Sequence, residues 1–175
     1  MSRTLRIIFA LALAVSGCQA RAPLVLEEER DSRFGFAIKH PAGWGRVEEG
    51  DSAVRFVPSA DAERSTSTAE FIVVYTIPAE GTLNDAEIRR QVFSVLPVHG
   101  VSGFQQDLRT TPEILWYKFE VTGTTNDVEW ASVGIVTSGP RRFHIAVCAK
   151  PLDQWREGQK QCDEVMRSFQ PGQLQ

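Results

Sequence analysis

The sequence predicts an α+β domain built on an antiparallel β-sheet with two amphipathic helices. Three observations carry this. Leu115, Tyr117, Phe119 and Val121 alternate with Trp116, Lys118, Glu120 and Thr122, and two more strands follow at short spacing, as in a meander. Phe71 to Ile77 is apolar with β-branched residues throughout, which suits a central strand covered on both faces. Ile88, Val92, Val95 and Leu96 recur at helical spacing and make one apolar stripe.

The chain opens on a different pattern. Arg3 and Arg6 precede an apolar stretch from Ile7 to Val15, and Val15-Ser16-Gly17-Cys18 follows. A basic start, a short apolar core and small residues before a cut site make a secretory leader. The stretch is too short for a bilayer span, which takes about 20 residues. The ending resembles the lipobox of bacterial lipoproteins. By that resemblance residues 1–17 are the leader, and Cys18 becomes the acylated N terminus. The alternative is an ordinary leader cut near Ala20 or Ala22. One acyl chain holds a protein only reversibly, so stable anchoring takes two or more. Gln19 follows the cysteine, where Asp would signal inner-membrane retention. In a Gram-negative cell the resemblance therefore implies the outer membrane, with the domain facing the periplasm.

Residues 18–32 read as the lipidated N terminus and a polar tether, with the charged run Glu27-Glu28-Glu29-Arg30-Asp31. As a coil, Gln19 to Ser32 would span roughly 20 Å. Leu24-Val25-Leu26 is the exception, apolar enough to dock as a short strand. The domain is expected over 33–170, with a tail over 171–175. Phe34, Phe36 and Ile38 alternate as a strand, and Pro41-Ala42-Gly43 breaks it before Trp44. Val54 to Val57 is a second strand, and Ser59 to Thr68 reads as a polar loop. After Phe71 to Ile77, Thr82 is the expected N-cap of the first helix, with Asp85 three residues on. Pro97 stops that helix, and Gly100-Val101-Ser102-Gly103 reads as a loop. Thr124 to Asp127 makes a turn between meander strands. Val128 to Thr137 is the next strand, with Gly134 as an expected bulge. Ser138-Gly139-Pro140 turns the chain into Phe143 to Cys148. The last helix runs from Leu152 to Phe169, with Trp155, Cys162, Val165, Met166 and Phe169 on one side. Pro151 and Pro171-Gly172 punctuate its ends. Gly158 weakens its middle by about 1 kcal/mol relative to Ala.

This order resembles the PsbP-like family at several points. An early aromatic strand runs into His40-Pro41-Ala42-Gly43-Trp44, similar to that family's Pro-x-x-Trp turn. An apolar strand follows, then a helix introduced by Thr82-Leu83, three strands, and a C-terminal helix ending in Ser168-Phe169. The resemblance covers Phe34 to Phe169. It implies an α/β/α sandwich, an antiparallel sheet between helices. It also implies a role in binding or assembling other proteins, since the family includes a photosystem II extrinsic subunit, a Ran-binding import factor and bacterial lipoproteins. It supplies no catalytic residues to carry over.

Composition narrows the function classes. The formal net charge is −3, and loss of Arg3 and Arg6 takes it two units lower. Nothing in that balance suggests nucleic acid as a partner. The Arg141-Arg142 doublet reads as a solvated turn rather than an anion site. Cys148 and Cys162 form an even pair in an exported chain, which reads as a disulfide; the alternative is two buried thiols that never meet. His40, His99 and His144 fit no metal-ligand spacing. Gly100-Val101-Ser102-Gly103 is not a nucleophile elbow. No cofactor or enzymatic role is therefore expected. Trp44, beside Pro41, reads as a pin for the turn or as a surface contact for a partner. Trp116 and Trp130 read as sheet core beneath a helix or, if the strands bring them together, as an aromatic groove for a peptide, lipid or sugar. The expected role is a lipid-anchored binding or assembly module with an envelope protein partner; the alternative is a small-ligand or lipid carrier using an apolar pocket, and an uncharacterised enzyme ranks behind both.

Overall fold

A computed structural model describes residues 24–64, 68–96 and 98–172. The leader, Cys18, Pro97 and residues 173–175 lie outside the described residues.

Among the described residues, ten strands and three helices follow in chain order. They are β1 (Leu26–Asp31), β2 (Phe36–Pro41), β3 (Trp44–Glu49), β4 (Ala53–Pro58), α1 (Ser59–Arg64), β5 (Phe71–Pro78), α2 (Asp85–Val95), β6 (Val98–Gln106), β7 (Leu115–Thr125), β8 (Val128–Ser138), β9 (Arg142–Pro151), α3 (Trp155–Ser168) and β10 (Gln170–Pro171). A short 3₁₀ turn, Leu152–Gln154, leads into α3. Seven strands form one antiparallel sheet in the order β3-β4-β5-β9-β8-β7-β6, and β1-β2-β10 form a second, smaller one.

The interior position of β5 and β9 follows from their apolarity on both sides. Phe71 and Val73 face one cluster, Ile72 and Val74 the other. After β5 the chain carries α2 across one face to the far edge, then meanders back from β6 to β9 beside β5. The two faces are covered differently. α3 and β2 close one, with Cys162, Val165, Met166 and Phe169 against Phe36 and Ile38. On the other, α2 contributes Ile88 and Val92, followed by Leu96 at its C-cap. The fold is α+β and antiparallel as expected, but one covering layer is a helix plus a small sheet.

Several boundaries differ from the sequence reading. The run Glu27–Asp31 is strand, not tether: β1 pairs with β2 from Leu26↔Pro41 to Asp31↔Phe36. Its charges suit an outer strand, and Asp31 closes the turn by accepting from the Phe34 amide at 2.9 Å and from Arg46 at 2.6 Å. Burial alone would raise the Asp31 pKa, yet the Phe34 amide and Arg46 hold it below the usual carboxylate range. The expected tail begins inside the fold, because Pro171 belongs to β10. Ser59–Arg64 is helical, with Ala62 packed against the core. Gly100–Gly103 lies within β6, an edge strand whose pairing slips twice, so its glycines read as loop. The cap of α2 is Asn84, not Thr82. Asn84 Oδ1 accepts from the Glu87 amide at 3.1 Å, and Glu87 accepts from the Asn84 amide at 2.9 Å. Leu83 N donates to Ser138 Oγ, which ties the preceding residue to the sheet.

Two glycines have packing reasons. Gly134 pairs regularly with Phe119 and makes no bulge; a Cβ there would lie 2.2 Å from Phe119 Cζ, too close for both to stand. Gly158, inside α3, leaves room for the Lys150 side chain, whose Cγ lies 2.8 Å from where a Cβ would stand.

Candidate binding site

Cys148 and Cys162 are joined by a disulfide with Cα atoms 5.2 Å apart, tying β9 to α3. The tryptophans do not form a groove. In the β7–β8 register Trp116 pairs with Thr137, whereas Trp130 pairs with Gly123. They therefore sit at different levels of the hairpin, and they also point to opposite faces. The two-residue turn Asn126-Asp127, with φ of 49° and 62°, fixes that register. Trp130 is 1% exposed, and its indole N–H donates to Thr125 Oγ1 at 3.0 Å. Trp116 lies under the Arg109 guanidinium, 4.1 Å from its ring centroid. Both are core. Trp44 opens β3 just after the turn that passes the chain from the small sheet to the large one. It is half-buried, with Lys150 over its ring at 5.5 Å.

A different place in the fold gathers polar groups around a cavity. The β8–β9 turn, the loop before β7 and the segment after α3 enclose about 430 Å³. Thr137, Arg141, Arg142 and His144 line it with Ile114, Pro140 and Pro171. Its rim is held by backbone bonds: Gly139 N to Arg142 O, Ala79 N to Arg141 O and Gly81 N to Pro140 O, each at 3.0 Å, and Gly172 N to Gly35 O at 2.7 Å.

His144 is 2% exposed and fully engaged. Its Nε2 lies 3.2 Å from the Phe34 carbonyl, which only accepts, so Nε2 carries the proton. Nδ1 then accepts from the Thr137 hydroxyl at 3.2 Å. Burial, with the Arg142 charge adding to it, lowers the His144 pKa to about 4. Arg142 packs its guanidinium on Gly35, a glycine at φ 67° with no Cβ to block it. Its buried Nη1 has no hydrogen-bond partner. The doublet is thus not simply solvated: Arg141 is exposed, and Arg142 is half-buried. One signal in the sequence pointed here. Arg142 and His144 are two apart on a strand and so share a face.

The His144 arrangement makes a pH prediction. Between pH 6.5 and about 4 the unfolded chain takes up a proton that the folded chain refuses, so stability falls as pH falls through that window. The loss is on the order of 3 kcal/mol across the whole window. Urea midpoints at pH 7, 5.5 and 4 should drop accordingly, and His144→Gln should flatten the drop. An equally steep drop in the variant would assign it to other groups.

Among the described residues no three His, Cys, Asp or Glu side chains are grouped to hold a metal ion. Also among them, no helix is long and apolar enough to cross a membrane.

These features define a class: an antiparallel α+β domain with a large sheet, a small sheet closing one face with the C-terminal helix, and a crossover helix on the other. No family model matches the chain, and no curated protein does. Solved structures do match. The cyanobacterial PsbP (CyanoP) of Synechocystis aligns with a TM-score of 0.59 at 17% identity, over 90% of this chain and 98% of that one. A protein from Bacteroides thetaiotaomicron aligns at 0.50 and 11%, over 79% of this chain and 46% of its own. A Ran-binding protein of Saccharomyces cerevisiae aligns at 0.48 and 12%, over 85% and 96%. The chain has a PsbP-like fold.

Proposed function

We propose that the chain is a lipid-anchored lipoprotein of the cell envelope, acting without catalysis to bind or assemble another envelope protein. The observation that carries this is Val15-Ser16-Gly17-Cys18 at the end of a basic-then-apolar leader. The fold supports it by its likeness to CyanoP, a PsbP protein. The disulfide supports export to an oxidising compartment. Anchored at Cys18, the domain stays close to its partners, and that confinement raises the effective concentration of each encounter. In a Gram-negative cell, Gln19 favours the outer membrane, with the domain in the periplasm.

Leu24 shares a shallow groove with Lys150 and Gly158, at the far end of β9 from Arg142. Lys150 lies eight residues along the strand from Arg142, about 26 Å. Leu24, the first described residue, therefore joins the domain at the opposite end of β9 from the His144 cavity.

Crosslinking in the native host, followed by mass spectrometry, tests the reading. Labelled palmitate should enter the wild-type chain and not Cys18→Ala, and one envelope protein should be captured only with Cys18 intact. Equal labelling of both forms would remove the anchor. Capture that ignores Cys18 would remove its role in partner choice. A second reading, a small-ligand carrier, is favoured by the cavity beside His144 rather than by Trp116 and Trp130.

A further inference from the structure

We propose that the cavity between the β8–β9 turn and Pro171-Gly172 binds an amphiphilic carboxylate, its head on the Arg142 guanidinium and its apolar body against Ile114, Pro140 and Pro171. This goes beyond the anchored-module reading and rests on the cavity alone.

Three described arginines are half-buried: Arg55, Arg109 and Arg142. The first two each pair with a carboxylate, Arg55 with Glu49 and Arg109 with Asp107. The Arg142 side chain makes no hydrogen bond or ion pair to a described residue, and its Nη1 is sealed from solvent without an acceptor. A partly desolvated guanidinium is costly to keep unpaired, and an anion restores the balance. The position is also built. Gly35 supplies a floor on which only a residue without Cβ lets the guanidinium lie. Four backbone hydrogen bonds hold the walls.

The lining narrows the ligand. His144 is neutral, and both ring nitrogens are engaged inside the protein, so it adds no second cation. Glu113 stands on the rim without pairing to Arg142, which disfavours a dianion such as phosphate. Ile114, Pro140 and Pro171 offer apolar surface beside the cation. The volume, about 430 Å³, lies in the range of small-ligand sites. A single carboxylate on a compact apolar body meets all of these conditions, with a charge-assisted hydrogen bond from the part of the guanidinium that faces the cavity.

The test uses the full chain in an uncharged detergent and NMR of the Arg142 Nε and His144 ring signals. The probes are benzoate, benzyl alcohol, acetate and inorganic phosphate. Benzoate should shift both signals saturably, and bind about tenfold or more tighter than the other three. Arg142→Gln should weaken benzoate by about tenfold or more, since a charged hydrogen bond is lost. With its neighbouring charge neutralised, His144 should also titrate nearer its ordinary range. Benzyl alcohol binding as well as benzoate would overturn the role of Arg142. Phosphate or acetate binding as well would overturn the apolar part. No saturable shift would overturn the site. Should Arg142→Gln fail to fold, the His144 titration in the wild-type chain with benzoate still decides. Cys18→Ala should leave all of these readings unchanged, so failure of the anchor and failure of the cavity are separable.

Discussion

Phe119→Ala should destabilise the domain by about 3–5 kcal/mol, and the loss should shrink when Gly134→Ala is added. Phe119 is fully buried, on the α2 side of the sheet, with Phe104 at 6.0 Å and Gly134 directly opposite on β8. Its ring occupies the space a side chain at Gly134 would need. Removing the ring opens a cavity in a rigid part of the sheet, where β7 and β8 are paired along eleven positions. Gly134→Ala alone should cost about 1–3 kcal/mol, because the new methyl meets ring atoms that have nowhere to go. In the double variant that methyl enters the space the ring left. The two costs should therefore not add. Urea unfolding of all four forms, with unchanged slopes, gives the coupling directly. Additive costs would show that the ring and the glycine do not share the space.

The same hairpin shows what the sequence could and could not reveal. Alternation in β7 marked Tyr117, Phe119 and Val121 as one face, and the two-sided apolarity of Phe71 to Ile77 marked an interior strand. Both are local patterns with period two, and both hold in the fold. Gly134 read as a bulge because a glycine in a strand signals either a bulge or a close approach. Only the register opposite Phe119 decides between them. Trp116 and Trp130 failed for a related reason. Their meeting depended on the turn, and the two-residue Asn126-Asp127 turn places them seven pairs apart. The strands lost to loop were edge strands with charge or glycine: β1, whose residues are nearly all polar, and β6, which carries Gly100 and Gly103. Edge strands need only one partner and carry little apolar signal. The cavity was hidden because its parts come from residues 35, 114, 142 and 172, which only the tertiary fold assembles. The cysteine pair, by contrast, needed only parity and an export leader.

That disulfide carries the second large effect. Replacing both cysteines, Cys148→Ala with Cys162→Ala, should cost about 3 kcal/mol. The bridge closes a loop with a sequence separation of 14. In the unfolded chain it removes conformations that the variant regains, and that is the main source of the loss. Cys148 is 1% exposed and Cys162 is 0%. A reductant therefore reaches the bridge only when α3 lifts from β9, and native protein should resist mild reduction while denaturant-treated protein does not. The cost should fall first on what α3 holds. Ser168 Oγ accepts from the Lys39 amide at 2.8 Å, Phe169 stacks on Phe36, and Pro171 pairs back to β2. Amide exchange in the variant should quicken over residues 36–39 and 170–172 before it quickens in β8. Since Gly172 closes the His144 cavity through its bond to Gly35, the binding surface should loosen with the helix. An unchanged urea midpoint in the double variant would mean that Val165, Met166 and Phe169 hold α3 without help. Uniform exchange across both sheets would mean that the bridge acts only through the unfolded chain.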